Sequence, residues 1–370
     1  MRRFILAFFV LILGVGIVVA VRARSSDQTT GADSMTAWMS LGDAEKRPEH
    51  FEPYLNEHPD DEARRAAAVV WYQRRDRNAE KLKHHTLQLA QHHPENTMIY
   101  FSNVSAFYIA PAYRREVCDR LERQVENGQA KASTFWMLGK MYGQAAIPPL
   151  EDKSPARRER FFRYFGLPAD TPLPTEIDNA LAERAVGYYR RAIQQSDQFW
   201  GRTSSQSLAN LLIKLEKPEE AVAVCEAQLR AVEKEGKPDF LVTYGHALQL
   251  AEQTQEAVRV LRQVRKLDHE GFGRGPAHAT TAALTQLGLI ALETGDVIEA
   301  KKLLLASADV QRCCHNSTKG MPLKLAKRLQ GAGECEAVIR YCRLVLDRFT
   351  PNQVETQKLL EHCTAAAQED

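Results

Sequence analysis

The chain has 370 residues, of which 44% are hydrophobic and 26% charged, and its formal net charge is +2. A charge so close to zero gives no case for general nucleic-acid binding, which would need a strong basic excess on one face. No run of alternating β-branched residues exceeds a few positions, so an all-α fold is expected.

The first two dozen residues stand apart. Phe4 to Val21 is an unbroken run of 18 apolar or glycine residues, with Arg2 and Arg3 before it and Arg22 and Arg24 after it. That length lies near the lower end for spanning a bilayer, whereas a cleaved signal peptide has a core of roughly 7–15 residues and a small-residue exit. Val21-Arg22-Ala23 is a poor exit, so residues 1–24 read as an uncleaved, single-pass anchor that touches the membrane through residues 4–21. No Cys follows the apolar core to carry a lipid, and the run is too apolar for a twin-arginine signal. The charge bias across the segment is small. It favours the amino terminus inside and the remainder outside the cytoplasm, in the periplasm if the source is bacterial. Residues 25–34 hold no apolar side chain beyond one Ala and read as a flexible tether.

From residue 35 to 350 the chain repeats itself. Trp38-x2-Leu41-Gly42 suggests a truncated opening hairpin, and His58-Pro59-Asp60-Asp61 returns 35 residues later as His93-Pro94-Glu95-Asn96. Helical hairpins are expected over about 62–93, 97–127, 131–145 with 178–196, 203–234, 238–268, 279–310 and 320–349, with a capping helix and tail over 351–370. Within them Leu208-Ala209 leads to Ala221, Tyr244-Gly245 to Ala257 and Leu287-Gly288 to Ala300, twelve residues on from the small residue each time, while Leu325-Ala326 reaches Ala337 one residue early. Successive second anchors lie 36, 43 and 37 residues apart, the period of stacked helical hairpins. Two antiparallel helices approach closely where facing positions lack bulk, so the Gly or Ala of the first helix is expected to meet the Ala of the second. The turns read as Lys217-Pro218-Glu219-Glu220, Gln253-Thr254-Gln255 and Thr294-Gly295-Asp296, with Gly295 suited to a left-handed cap and Pro218 to a first helical turn.

At this point the sequence resembles the tetratricopeptide repeat (TPR) family. Phe135-x2-Leu138-Gly139-x2-Tyr142 matches its first-helix pattern, Ala185-x3-Tyr189-x2-Ala192 its second, and Leu284-x2-Leu287-Gly288 adds a further copy. The resemblance implies a right-handed α-solenoid of about six to seven hairpins behind the single membrane helix.

Several features invite chemistry without carrying it. His84, His85, His92 and His93 lack the spacing of metal ligands, since His85 and His92 are two helical turns, roughly 10 Å, apart. Gly271-Phe272-Gly273-Arg274-Gly275 follows a helix rather than a strand and reads as a long inter-repeat turn. The seven cysteines (118, 225, 313, 314, 335, 342 and 363) include no C-x2-C pair. They read chiefly as small core residues, with a disulfide among 313, 314, 335 and 342 open if the domain is exported. No nucleophile, carboxylate-pair or metalloprotease motif occurs, so no enzyme, cofactor or metal is expected.

Two regions are candidates for specificity. In the resembling family, outward residues of the first helices line a shared groove, and the Leu-Gly anchors place Trp136, Lys140, Gln206, Asn210, Lys214, His246, Gln249 and Lys327 there. That set suits an extended or acidic peptide. The second region is an insertion at about 146–176: Gly139 to Ala185 spans 46 positions against the usual twelve, which leaves 34 extra. It contains Arg157, Arg158, Arg160, Phe161, Phe162, Arg163, Tyr164 and Phe165, residue types enriched at binding hot spots and membrane surfaces. The expected function is a membrane-tethered scaffold or adaptor for a protein or peptide partner. The alternatives are a non-catalytic assembly factor that positions an enzyme in envelope or polymer biogenesis, or a solenoid that self-associates as a homo-oligomer.

Overall fold

The computed structural model describes residues 47–73, 78–101, 110–148, 175–196, 199–230, 237–269, 276–310, 321–348 and 354–369. Over these residues the chain is all-helical, with sixteen helices and no strand. It divides into two compact units, one ending at Ser204 and the other beginning at Ser205.

The first unit holds α1 (Pro48–Glu57), α2 (Glu62–Trp71), α3 (Ala79–His92), α4 (Met98–Phe101), α5 (Pro111–Glu126), α6 (Ala132–Ala146), α7 (Asn179–Gln194) and the opening of α8 (Phe199–Lys214). The second holds the rest of α8, then α9 (Pro218–Leu229), α10 (Lys237–Leu250), α11 (Thr254–His269), α12 (Pro276–Glu293), α13 (Val297–Val310), α14 (Met321–Gly331), α15 (Cys335–Arg348) and α16 (Val354–Glu369). Packing is sequential in both. In the first unit α2 lies on α3, α3 on α5, α5 on α6 and α6 on α7, with α4 bridging α2 and α6. In the second, α10, α12 and α14 pack one on the next, while α11 lies against α10 and α12, and α13 against α12 and α15. Each helix therefore buries its apolar stripe against neighbours close in sequence.

The helix ends explain why the chain turns where it does. Asp61, Asn78 and Asp178 accept hydrogen bonds from the backbone N–H three residues on, and so does Asp296, which satisfies an otherwise orphaned donor at each start. Pro48, Pro111 and Pro218 open α1, α5 and α9, where a missing N–H costs nothing. Five helices end in one motif: a left-handed residue, Gly128, Glu216, Glu252, Gly295 or Gly333, follows the last turn. The next N–H then reaches back five residues, as from Lys217 to Leu212, Gln253 to Leu248, Asp296 to Ala291 and Glu334 to Leu329. From Glu216 these turns fall at intervals of 36, 43 and 38 residues.

That register corrects the fourth anchor. Val338, not Ala337, stands five residues beyond its turn and twelve beyond Ala326, and it is fully buried while Ala337 is only half-buried. The irregular step disappears. The expected Gly-to-Ala contact is also different. A Cβ on Gly139 would come within 2.7 Å of the Tyr189 ring, one on Gly245 within 2.6 Å of Leu261, and one on Gly288 within 2.4 Å of Leu325. Tyr189 and Leu261 lie four residues past the second-helix alanines, and Leu325 belongs to the next hairpin, so the glycines make room for large side chains. The sequence pattern gave no helix to 48–57, yet α1 packs on α2 through Phe51 and Leu55.

Trp38, Leu41 and Gly42, the tether and the apolar run 4–21 lie outside the described residues. Among the described residues no helix is long and apolar enough to cross a membrane.

Candidate functional site

Three of the six expected groove residues of the second unit, Gln206, Gln249 and Lys327, make side-chain contacts from one helix to another. Gln206 on α8 donates through Nε2 to the Asp239 carbonyl and to Thr243 Oγ1 on α10, each at 3.4 Å. Gln249 on α10 donates to Glu293 Oε2 on α12 at 2.9 Å, and Glu293 lies 4.0 Å from Arg328 on α14. Lys327 on α14 reaches Glu355 on α16 at 3.6 Å. Asn210 and Lys214 are exposed on α8. His246 is half-buried, and burial together with the charge of Lys324 holds its pKa below the ordinary value, so at neutral pH it is a neutral donor and acceptor. The surface thus offers amides that can pair with peptide backbone and ammonium groups that can pair with carboxylates.

The sequence pattern missed the acids. Glu293 and Glu355 offset part of the basic character expected here, and Thr243, Lys324 and Arg328 join the same surface. Register held a signal for one of them: Glu293 stands five residues past Gly288, as Lys214 stands five past Ala209. The position that matches Asn210, His246 and Lys327 in the third hairpin is Leu289, which is buried and breaks the polar line.

In the first unit Trp136 corrects the expectation of a solvent-facing side chain. It is 3% exposed, its ring packed 5.3 Å from Tyr100, 5.6 Å from Phe101 and 5.2 Å from Trp200. Lys140, half-buried, holds its ammonium 5.7 Å from the Trp136 ring centre. Phe101 and Phe199 are the exposed rings of this cluster.

A second pattern recurs that spacing alone did not reveal. A tyrosine donates its hydroxyl to a glutamate on the preceding helix or the one before it: Tyr72 to Glu52, Tyr142 to Glu122 at 2.8 Å and Tyr244 to Glu226 at 3.2 Å. In the first unit each glutamate also gathers a cation, Lys81 at 3.1 Å from Glu52 and Arg184 beside Glu122. Glu122 further accepts from Tyr188 at 2.6 Å, and the Tyr142 and Tyr188 rings stack 5.7 Å apart. Burial, then Glu122, pushes the Tyr188 hydroxyl up to about 12, so it stays a donor. Around Glu52 the network runs deeper. His85, 2% exposed, stacks on Tyr72 and lies 3.4 Å from Glu52, while Arg65, also buried, contacts His85 Nδ1 at 3.3 Å and donates to the Pro59 carbonyl. These are hairpin-to-hairpin links whose polar atoms are spent on one another.

Of the other histidines, His84 and His92 are exposed and His93 approaches the Asp60 carbonyl at 3.0 Å. Among the described residues no three His, Cys, Asp or Glu side chains converge as metal ligands would. Cys118, Cys225, Cys342 and Cys363 are buried, as small core residues should be. Cys313, Cys314, the 271–275 turn and the insertion residues Arg157, Arg158, Arg160, Phe161, Phe162, Arg163, Tyr164 and Phe165 lie outside the described residues. The insertion's two ends meet: the Asp178 N–H donates to the Ala146 carbonyl at 2.9 Å, so the chain leaves and re-enters at one point.

No family model matches the chain, and no curated protein matches it.

Proposed function

We propose that the protein is a membrane-tethered, TPR-like α-solenoid that holds a protein or peptide partner, a scaffold and not an enzyme. The observation that carries this reading is the equal register of turn and surface. Left-handed turns recur at 36, 43 and 38 residues, and Asn210, His246 and Lys327 follow the same register, with Gln206 and Gln249 linking the helices beside them. A rigid array that repeats a short helical unit displays side chains at fixed intervals along one direction, which suits an extended chain better than a compact substrate. Lys214, Lys324 and Lys327 favour a partner with acidic residues. The apolar run 4–21 and the polar stretch 25–34 would keep this array beside a bilayer, with the repeats outside the cytoplasm. The insertion, which leaves and returns at Ala146 and Asp178, is a second candidate contact.

The test is crosslinking in intact cells followed by capture of the tagged full chain in detergent. Two variants run beside it: one with residues 149–174 replaced by a short Gly-Ser link, and one carrying Lys214→Glu and Lys327→Glu. One protein recovered in roughly equal amount with the full chain, and lost with either variant, supports the adaptor reading and says which surface binds. Recovery of the chain alone, in all three forms, overturns it.

A further inference from the structure

Three cysteines of the second unit share one core cluster: Cys335 and Cys342 on α15 and Cys363 on α16, packed with Val338, Tyr341 and Leu359. Cys363 and Cys342 are fully buried, whereas Cys335, the first residue of α15, is partly exposed. Cys335 and Cys363 thus meet in one cluster, across two helices that pack closely, and Cys335 is the thiol that bears most on Cys363. Cys335 and Cys342 are seven residues apart on one helix, about 10 Å of rise, beyond the roughly 7 Å between Cα atoms that a disulfide can bridge. Cys342 and Cys363 are both sealed from solvent, so an oxidant has no direct entry to that pair.

We propose that Cys335 and Cys363 form a reversible disulfide that staples α16 to α15. The inference rests on the packing of these helices and not on the scaffold or membrane reading. The oxidant is a small-molecule disulfide such as oxidised glutathione. The Cys335 thiolate attacks one glutathione sulfur, the glutathione S–S bond breaks, one glutathione thiolate leaves, and Cys335 is left in a mixed disulfide. The Cys363 thiol then loses its proton and attacks Cys335 Sγ, and the second glutathione thiolate leaves. Two electrons pass from the protein thiols to the glutathione disulfide, and the two protons end on two glutathione thiols. Burial, with the neighbouring Cys335 and Cys342, pushes the Cys363 thiol up to about 12, so the second step is slow at neutral pH. The bond closes a loop around the α15–α16 turn, restricts the unfolded chain, and ties down the last helix.

Tryptic cleavage after Arg328, Arg340, Arg343 and Lys358 places each of the three cysteines in a separate peptide. Purified full-length protein in detergent is incubated with oxidised glutathione at pH 8, alkylated, digested without reductant and read by mass spectrometry, beside Cys335→Ser and Cys342→Ser. The expected result is a link between the peptides carrying Cys335 and Cys363, retained in Cys342→Ser and absent from Cys335→Ser. A melting temperature roughly 3–5 °C higher than in the reduced protein should accompany it. A Cys342–Cys363 link, or a Cys335 that stops at the glutathione adduct while both variants keep the wild-type melting temperature when reduced, overturns the proposal.

Discussion

The two units reach the same sequential packing by different chemistry. In the first, beside the close approach at Gly139, helices are tied through half-buried polar centres: Glu52 with Tyr72, Lys81 and His85, and Glu122 with Tyr142, Tyr188 and Arg184. In the second, close approaches recur at Gly245 and Gly288 within a core of Ala, Leu and Val, and Glu226 receives a single tyrosine. A steric fit fixes residue spacing tightly, because one added methyl group has nowhere to go. A polar centre fixes partners but tolerates variation in spacing, because side chains of different length can reach it. The regular 36- to 43-residue period is accordingly clearest in the second unit, and the insertion interrupts the first.

The largest effect should come from overfilling a small-residue contact. Gly288→Val is expected to cost about 3 kcal/mol of stability in urea denaturation, and adding Leu325→Ala should recover more than half of it. If the double variant is no better than the single one, Gly288 is not set by Leu325.

Acidification probes the first unit. Burial, opposed by Glu52, holds His85 at about 4 against an ordinary value of 6.5; His84 and Arg65 also disfavour its charge. The unfolded chain therefore takes up this proton first. Stability present above about pH 6.5 is lost as pH falls toward 4. Burial raises Glu52, but Tyr72 and Lys81 hydrogen bonds and the His85 and Lys81 charges bring it below its ordinary value, so its contribution also fades in acid. A loss of ~2 kcal/mol between pH 7 and 5 is expected, and His85→Gln should flatten the profile. An unchanged slope in that variant would remove His85 from the account.

The glutamates separate the units directly. Glu122→Ala leaves two tyrosines and an arginine without their acceptor and should cost about 2 kcal/mol, against about 1 kcal/mol or less for Glu226→Ala. Equal costs measured by thermal denaturation would erase the distinction between polar and steric assembly. The smallest expected effect is a gain. Glu216 and Glu252 sit in the left-handed region where glycine is relaxed, at φ 57° and 60°. Glu252→Gly should therefore stabilise by a few tenths of a kcal/mol up to about 1 kcal/mol, read as a raised melting temperature.

Much of this architecture was legible. Leu208-Ala209, Tyr244-Gly245 and Leu287-Gly288 mark first helices correctly, and Pro218 and Gly295 mark their turns, because a small residue in a tight contact and a proline at a helix start have few other uses. Helix α1 was missed because Pro48 and Pro53 obscure its apolar pair, Phe51 and Leu55. Ala337 displaced Val338 because the pattern sought an alanine where the site accepts any residue that fits. At the candidate surface Asn210, Lys214 and Lys327 are exposed as expected, but Trp136 is enclosed by rings from α4 and α8 that no local window contains.

The sequence by itself determined that the chain is helical, where most hairpins turn and how often they recur, because periodicity, capping and small-residue sterics act over a few residues. Only the tertiary structure decided which side chains meet: that Gly288 accommodates Leu325, that Glu122 gathers three donors, that Glu293 and Glu355 temper a basic surface, and that Cys335, Cys342 and Cys363 share one core cluster. Those pairings depend on how side chains from separate helices fill shared space, and spacing along one chain does not encode that.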